Sequence, residues 1–179
     1  MNRSPVIFIA GPSGVGKSKV GEWLVEDLNW LLIDIDIPHP FRTHNLQREW
    51  HLFNTQLETV ALFSTLQQKI AEAGSQGAVV SLPSTRILTR KQIEAARCVG
   101  ICTVLLWGHE EFCKAACQAR EQARGQALDN NRYDRSNKKA FDVYHGSEYD
   151  DVRVETFHSD GSRCGRGDIV KTIRKRVGH

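Results

Sequence analysis

At 179 residues the chain has the length of one domain and can bury a sizeable core. Its hydrophobic fraction of 40%, charged fraction of 25% and net charge of +3 are those of an ordinary globular protein, not of a disordered or strongly basic nucleic-acid-binding chain. No apolar run approaches the ~20 residues needed to span a bilayer, so neither membrane nor nucleic acid is an expected partner.

The first apolar run, Val6-Ile7-Phe8-Ile9-Ala10, reads as a strand. It leads into Gly11-Pro12-Ser13-Gly14-Val15-Gly16-Lys17-Ser18, which fits G-x-x-x-x-G-K-S/T, the phosphate-binding loop. Its glycines allow turns in which successive N–H groups face phosphate oxygens. Lys17 can reach the β- and γ-phosphates, and the Ser18 hydroxyl can ligate Mg²⁺. A helix follows over 17–28, with Val20, Leu24 and Leu28 at helical spacing, and its N-terminal end favours the same anion. The expected nucleotide contacts are therefore Gly11, Pro12, Ser13, Gly14, Val15, Gly16, Lys17 and Ser18, with Lys19 beside them.

A second strand, Trp30 to Asp36, ends in two carboxylates two residues apart, which in a strand share one face. Beside a triphosphate, Asp34 can hold Mg²⁺ and Asp36 can orient or deprotonate an acceptor hydroxyl. His39 and Arg42 follow at once as candidates for holding a substrate, with Arg48 a weaker one. Residues 43–73 carry an apolar pattern of one or two helices closed by Gly74. The third strand, Ala78 to Leu82, breaks at Pro83 without an acidic residue, which disfavours motor-type and switch-type NTPases. Ser84, Thr85 and Arg86 supply hydroxyls and a cation at that strand end.

Thr89 reads as the N-cap of a short helix through Arg97, before a fourth strand over 101–106 and a helix over 110–122. Residues 123–150 are polar and rich in Arg, Asn and Asp, the composition of a mobile lid. Arg120 and Arg124, in or beside it, are placed to close over the nucleotide and neutralise charge on the transferring group; Arg132 and Arg135 lie in the same stretch. A last strand over 152–157 leads to a C-terminal helix near 167–177, whose Lys171, Arg174, Lys175 and Arg176 read as its solvated face and last turn.

The five cysteines are odd in number and lack a C-x-x-C pair, so neither a disulfide framework nor a zinc site is expected. Cys98/Cys102 and Cys113/Cys117, each four apart, would share helix faces as small buried residues. The expected compartment is the cytoplasm. Five strands alternating with helices give an α/β protein: a three-layer fold with a five-stranded parallel sheet, one domain over 1–179, and ligands beyond the carboxyl ends of the strands.

The phosphate loop, Asp34-x-Asp36, the strand loop Ser81–Arg86 and the Arg-bearing lid together resemble the small P-loop kinases of the shikimate kinase and gluconate kinase families. The resemblance covers most of the chain. It implies a nucleoside-monophosphate-kinase-like fold, ATP and Mg²⁺ as cofactors, and a small-molecule hydroxyl acceptor. It also implies a substrate-binding arginine after the lid, near which this chain carries Lys138 and Lys139, Lys138 being the candidate. The acceptor stays open: Pro83-Ser84-Thr85 stands where shikimate kinases have a glycine triplet, and Ile35 stands between the two aspartates where gluconate kinases have glycine. A nucleoside or nucleotide kinase, and a nucleotide-binding regulatory protein without phosphoryl transfer, are the alternatives, in monomeric or homodimeric form.

Overall fold

The structure is a computed structural model and describes residues 3–35 and 46–177. Five strands, β1 (Val6–Ala10), β2 (Leu31–Asp34), β3 (Ala78–Ser81), β4 (Ile101–Trp107) and β5 (Arg153–Glu155), form one sheet in the order β2-β3-β1-β4-β5. Every pairing is parallel, with Val6 opposite both Ala78 and Ile101. β1 is therefore central, and all five of its residues are buried, as a strand covered on both faces must be.

Alternation along the strands builds two cores. Val6, Phe8 and Ala10 face one side, with Trp50 and Phe53 of α2 (Gln47–Gln56), Leu62, Leu66 and Ile70 of α3 (Val60–Glu72), and Ile93 of α4 (Arg90–Cys98). Ile7 and Ile9 face the other, with Val20 and Leu24 of α1 (Lys17–Leu28), Cys113 of α5 (Glu110–Ala123), and Ile169 and Ile173 of α7 (Arg166–Val177). Phe8 sits edge-on to both Trp50 and Phe53 at 5.8 Å.

The elements follow the expected order, with differences that have physical causes. The 43–73 pattern is two helices, broken where Leu57 takes a left-handed φ of 56°. Thr89 caps α4 in a full capping box with Gln92. Cys102 lies in β4 while Cys98 ends α4, so that pair shares no helix face; Cys113 and Cys117 do, and both are buried.

The stretch 123–150 holds more regular structure than its polar composition suggests. Residues 130–144 form α6 (Asn130–Tyr144), begun by the Asp129 carboxylate accepting the Arg132 N–H at 3.0 Å. Tyr133, Asn137, Ala140, Phe141 and Tyr144 form its buried stripe, at helical spacing within a polar sequence. Only residues 124–129 are an irregular connection between α5 and α6. Low aliphatic content hid the helix because its buried face is aromatic and amide.

Candidate functional site

The carboxyl end of β1 delivers the chain into the loop 11–16, and α1 starts at Lys17. Gly14 has a φ of 92°, and a Cβ there would run into the Cys113 backbone carbonyl of α5, so this position admits only glycine. Lys17 Nζ donates to the Gly11 and Pro12 carbonyls at 2.9 and 3.0 Å, which bends the ammonium back over the loop.

Two contacts that hold the loop were not foreseen. Arg163, between β5 and α7, donates to the Gly14 carbonyl at 2.6 Å and the Val15 carbonyl at 3.1 Å. Its guanidinium rests 4.4 Å from the Phe157 ring centroid, and burial lowers its pKa. In a trans peptide the C=O and the next N–H are antiparallel. Carbonyls turned toward Arg163 therefore aim the Val15 and Gly16 N–H groups away from it. From the other side, the Asn137 side-chain oxygen accepts the Ser13 N–H at 2.6 Å, and the Ser13 hydroxyl donates to the Ser84 hydroxyl at 2.9 Å. Asn137 is 1% exposed and also donates to the Tyr133 carbonyl at 2.8 Å. The rule that ligands gather beyond strand ends could have flagged Arg163, which follows the last strand. Asn137 left no signal within a stretch read as lid.

Ser18, exposed at the first turn of α1, donates from its hydroxyl to Asp34 at 3.4 Å. Asp34 is 5% exposed at the end of β2 and pairs in register with Ser81, the β3 residue standing where an acidic residue is absent. A hydroxyl and a carboxylate at one edge are hard oxygen donors, and Mg²⁺ characteristically uses one or two protein oxygens and keeps several waters. The residues fit the ion. Among the described residues no group of three or more His, Cys, Asp and Glu comes together to hold a metal.

Ser18, Asp34, Lys17, Gly14, Gly16, Arg120 and Arg163 line a cavity of about 430 Å³. Ser13 and Arg120 also line a second cavity of about 470 Å³, so the two adjoin. The second is walled by Ser84 and Thr85, by Arg124 and the 126–129 connection, and by Arg132, Tyr133, Ser136 and Asn137. Arg120 and Arg124 both reach Glu121, at 2.9 and 3.5 Å. That carboxylate links Arg120, at the junction, to Arg124 in the wall of the second cavity.

Several expected contacts stand elsewhere. Lys19 is largely exposed and pairs with Glu22 at 3.0 Å, although both edge the first cavity. Lys138 points to solvent and pairs with Asp142 at 3.4 Å; it lines neither cavity, because the buried face of α6 presents Asn137 instead. Arg86 and Arg48 are exposed and line neither cavity. Arg135, on the outer face of α6, donates to the Asn131 carbonyl at 3.2 Å. Asp36, His39 and Arg42 lie outside the described residues.

No protein-family model and no curated protein matches the chain. Solved structures do. A gluconokinase from Sinorhizobium meliloti 1021 is 20% identical, over 99% of this chain and 94% of its own, with a TM-score of 0.53. The tunicamycin resistance protein of Deinococcus radiodurans is 19% identical, over 98% and 96%, with a TM-score of 0.56. A shikimate kinase from Bacteroides thetaiotaomicron is 18% identical, over 98% and 99%, with a TM-score of 0.53. The fold is that of the small P-loop kinases, the group the sequence resembles.

Proposed function

We propose that this chain is an ATP- and Mg²⁺-dependent kinase that transfers the γ-phosphoryl group to a hydroxyl of a small polyol or anionic metabolite. The observation that carries the reading is the Ser18–Asp34 pair, 3.4 Å apart, at the mouth of a glycine-built loop whose cavity opens into a hydroxyl- and arginine-lined one. The likeness to a gluconokinase and a shikimate kinase supports the same class of reaction.

Lys17 and the loop amides bind the β- and γ-phosphates as preorganised donors. Ser18 and Asp34 hold Mg²⁺, which when bound neutralises charge on the β- and γ-oxygens. Asp36 accepts the acceptor's hydroxyl proton, and His39 and Arg42 bind the substrate beside it. Arg120 sits at the junction of the cavities to offset charge where donor and acceptor meet, and Arg124 acts from the connection between α5 and α6. Ser84, Thr85 and Ser136 give the second cavity the hydrogen-bonding wall that a polyhydroxyl acceptor requires.

The test is a screen for ADP release over sugar acids, cyclitols, nucleosides and nucleotides, with Lys17→Ala as the blank. Acceptor-dependent ADP release by the wild type, absent in the variant, is the expected result. ATP bound without turnover on any acceptor would instead favour a regulatory nucleotide-binding protein.

A further inference from the structure

A third cavity, of about 620 Å³, lies at the opposite edge of the sheet from the phosphate loop. The amino ends of β1 and β4 form its floor through Val6 and Ile101, with Phe63 and Val152 as apolar walls. Arg3, Arg97 and Arg176 line it, against one carboxylate, Asp151.

That carboxylate is already occupied. Asp151 accepts from Arg97 at 2.8 Å and from Arg90, outside the cavity, at 2.5 and 3.0 Å. Arg176 reaches no carboxylate among the described residues. Its guanidinium donates only to the main-chain carbonyls of Asp151 and Arg153, at 2.9 and 2.6 Å. This corrects the reading of Arg176 as part of a solvated helix face: it is half-buried, and burial lowers its pKa. Arg3 contacts the Phe63 ring at 5.6 Å and has no ion pair among the described residues. A guanidinium carries five N–H donors, so two bonds to carbonyls leave Arg176 with three. Withdrawing a cation from water is costly when the one nearby carboxylate is already bonded to Arg90 and Arg97, and an oxyanion bound by the fork would offset that cost.

We propose that the cavity lined by Arg3, Arg97 and Arg176 binds an organic anion, with a phosphate or carboxylate head on the guanidinium groups and an apolar body against Phe63, Ile101 and Val152. A bare ion would leave most of the space unfilled, since cavities of ~300–1,000 Å³ hold metabolite-sized ligands. The site is separate from the phosphate loop, and its existence does not depend on the kinase reading.

Calorimetric titration of the full chain with phenyl phosphate, benzoate and phenol tests this. Phenyl phosphate separates a phosphate head from the carboxylate head of benzoate, and phenol lacks the charge. At least one of the two anions is expected to bind with a Kd of about 1 mM or tighter, with phenol about tenfold weaker. Arg3→Gln and Arg97→Gln should each weaken the anion about tenfold. Arg3 is largely exposed and has no ion pair among the described residues, so Arg3→Gln should melt with the wild type. Loss of the exposed Arg97–Asp151 pair should lower the melting temperature of Arg97→Gln by about 4 °C or less; Arg176 is kept because it also ties down the start of β5. Binding should survive in Lys17→Ala. Absence of anion binding, phenol binding as well as the anions, indifference to both arginine variants, or loss of binding in Lys17→Ala would each overturn the proposal.

Discussion

The residues that make the candidate site work are mostly those that restrain the loop rather than those expected to touch a nucleotide. Arg163 shows this best. Its two bonds to the Gly14 and Val15 carbonyls set the direction of two loop amides before any anion arrives. Only a planar fork can serve both carbonyls while lying against Phe157. Arg163→Lys keeps the charge and loses the fork, so ATP affinity should fall about tenfold with little change in melting temperature. An unchanged ATP Kd by calorimetry would show that the loop holds its shape without this contact. Glu121 pairs with both Arg120 and Arg124, linking two cations whose side chains stay largely exposed.

At the scale of elements, α6 is the surprise, because it ties the phosphate loop to the wall of the second cavity. Asn137→Ala removes the acceptor of the Ser13 N–H and leaves a hole beneath the loop. The expected cost is ~1–3 kcal/mol, or ~2–4 °C of melting temperature per kcal/mol in a chain of this size. A melting curve coincident with the wild type would contradict that role. Strands and caps, by contrast, were legible: apolar runs marked the first four strands, an alternating apolar-polar run marked β5, and Thr89 marked the start of α4. α6 was not, since its buried stripe is Tyr133, Asn137, Phe141 and Tyr144 and hydropathy alone does not distinguish it from a polar loop. The partners of Arg163 and Arg176 were illegible, although the place of Arg163 after the last strand was not, because a long cation's partner is set by tertiary approach and not by spacing.

A second element-scale link joins α4 to the start of β5 through Asp151, whose carboxyl the adjacent Arg90 lowers from 3.8 to about 2 against the opposing effect of burial, with Arg97 adding to it. A carboxylate with a depressed folded-state pKa stabilises the fold above its ordinary value, and that contribution is lost as pH falls through the folded value. The melting-temperature gap between wild type and Asp151→Asn should therefore be full at pH 7 and shrink between about pH 4 and pH 2. Partial exposure of the pair keeps the gap at roughly 1 kcal/mol or less. A gap that is constant down to pH 2 would remove the ion pair from the account of stability.

On the scale of the whole molecule, the parallel sheet separates two kinds of surface. Its carboxyl edge gathers the loop, the Ser18–Asp34 pair and the two adjoining cavities; its amino edge gathers three arginines around a third. Register brings Asp34 of β2 beside Ser81 at that edge, and with no acidic residue at the end of β3 the proposed reading gives Asp34 the metal-binding role. The phosphate loop, Asp34 at the end of the second strand and the five-stranded parallel sheet could be read before the structure, whereas the shape of the second cavity could not, since α5, α6 and the β3 end assemble it from distant stretches. The central claim is that Gly11–Ser18 binds Mg²⁺-ATP through Lys17, Ser18 and Asp34. The most direct measurement is calorimetric titration of ATP into wild type, Lys17→Ala and Asp34→Asn, each with Mg²⁺ and with a chelator. Mg²⁺-dependent binding by the wild type is expected, weakened about a hundredfold in Lys17→Ala, with the Mg²⁺ dependence lost in Asp34→Asn. Equal ATP affinity in all three proteins, or none in the wild type, would contradict it.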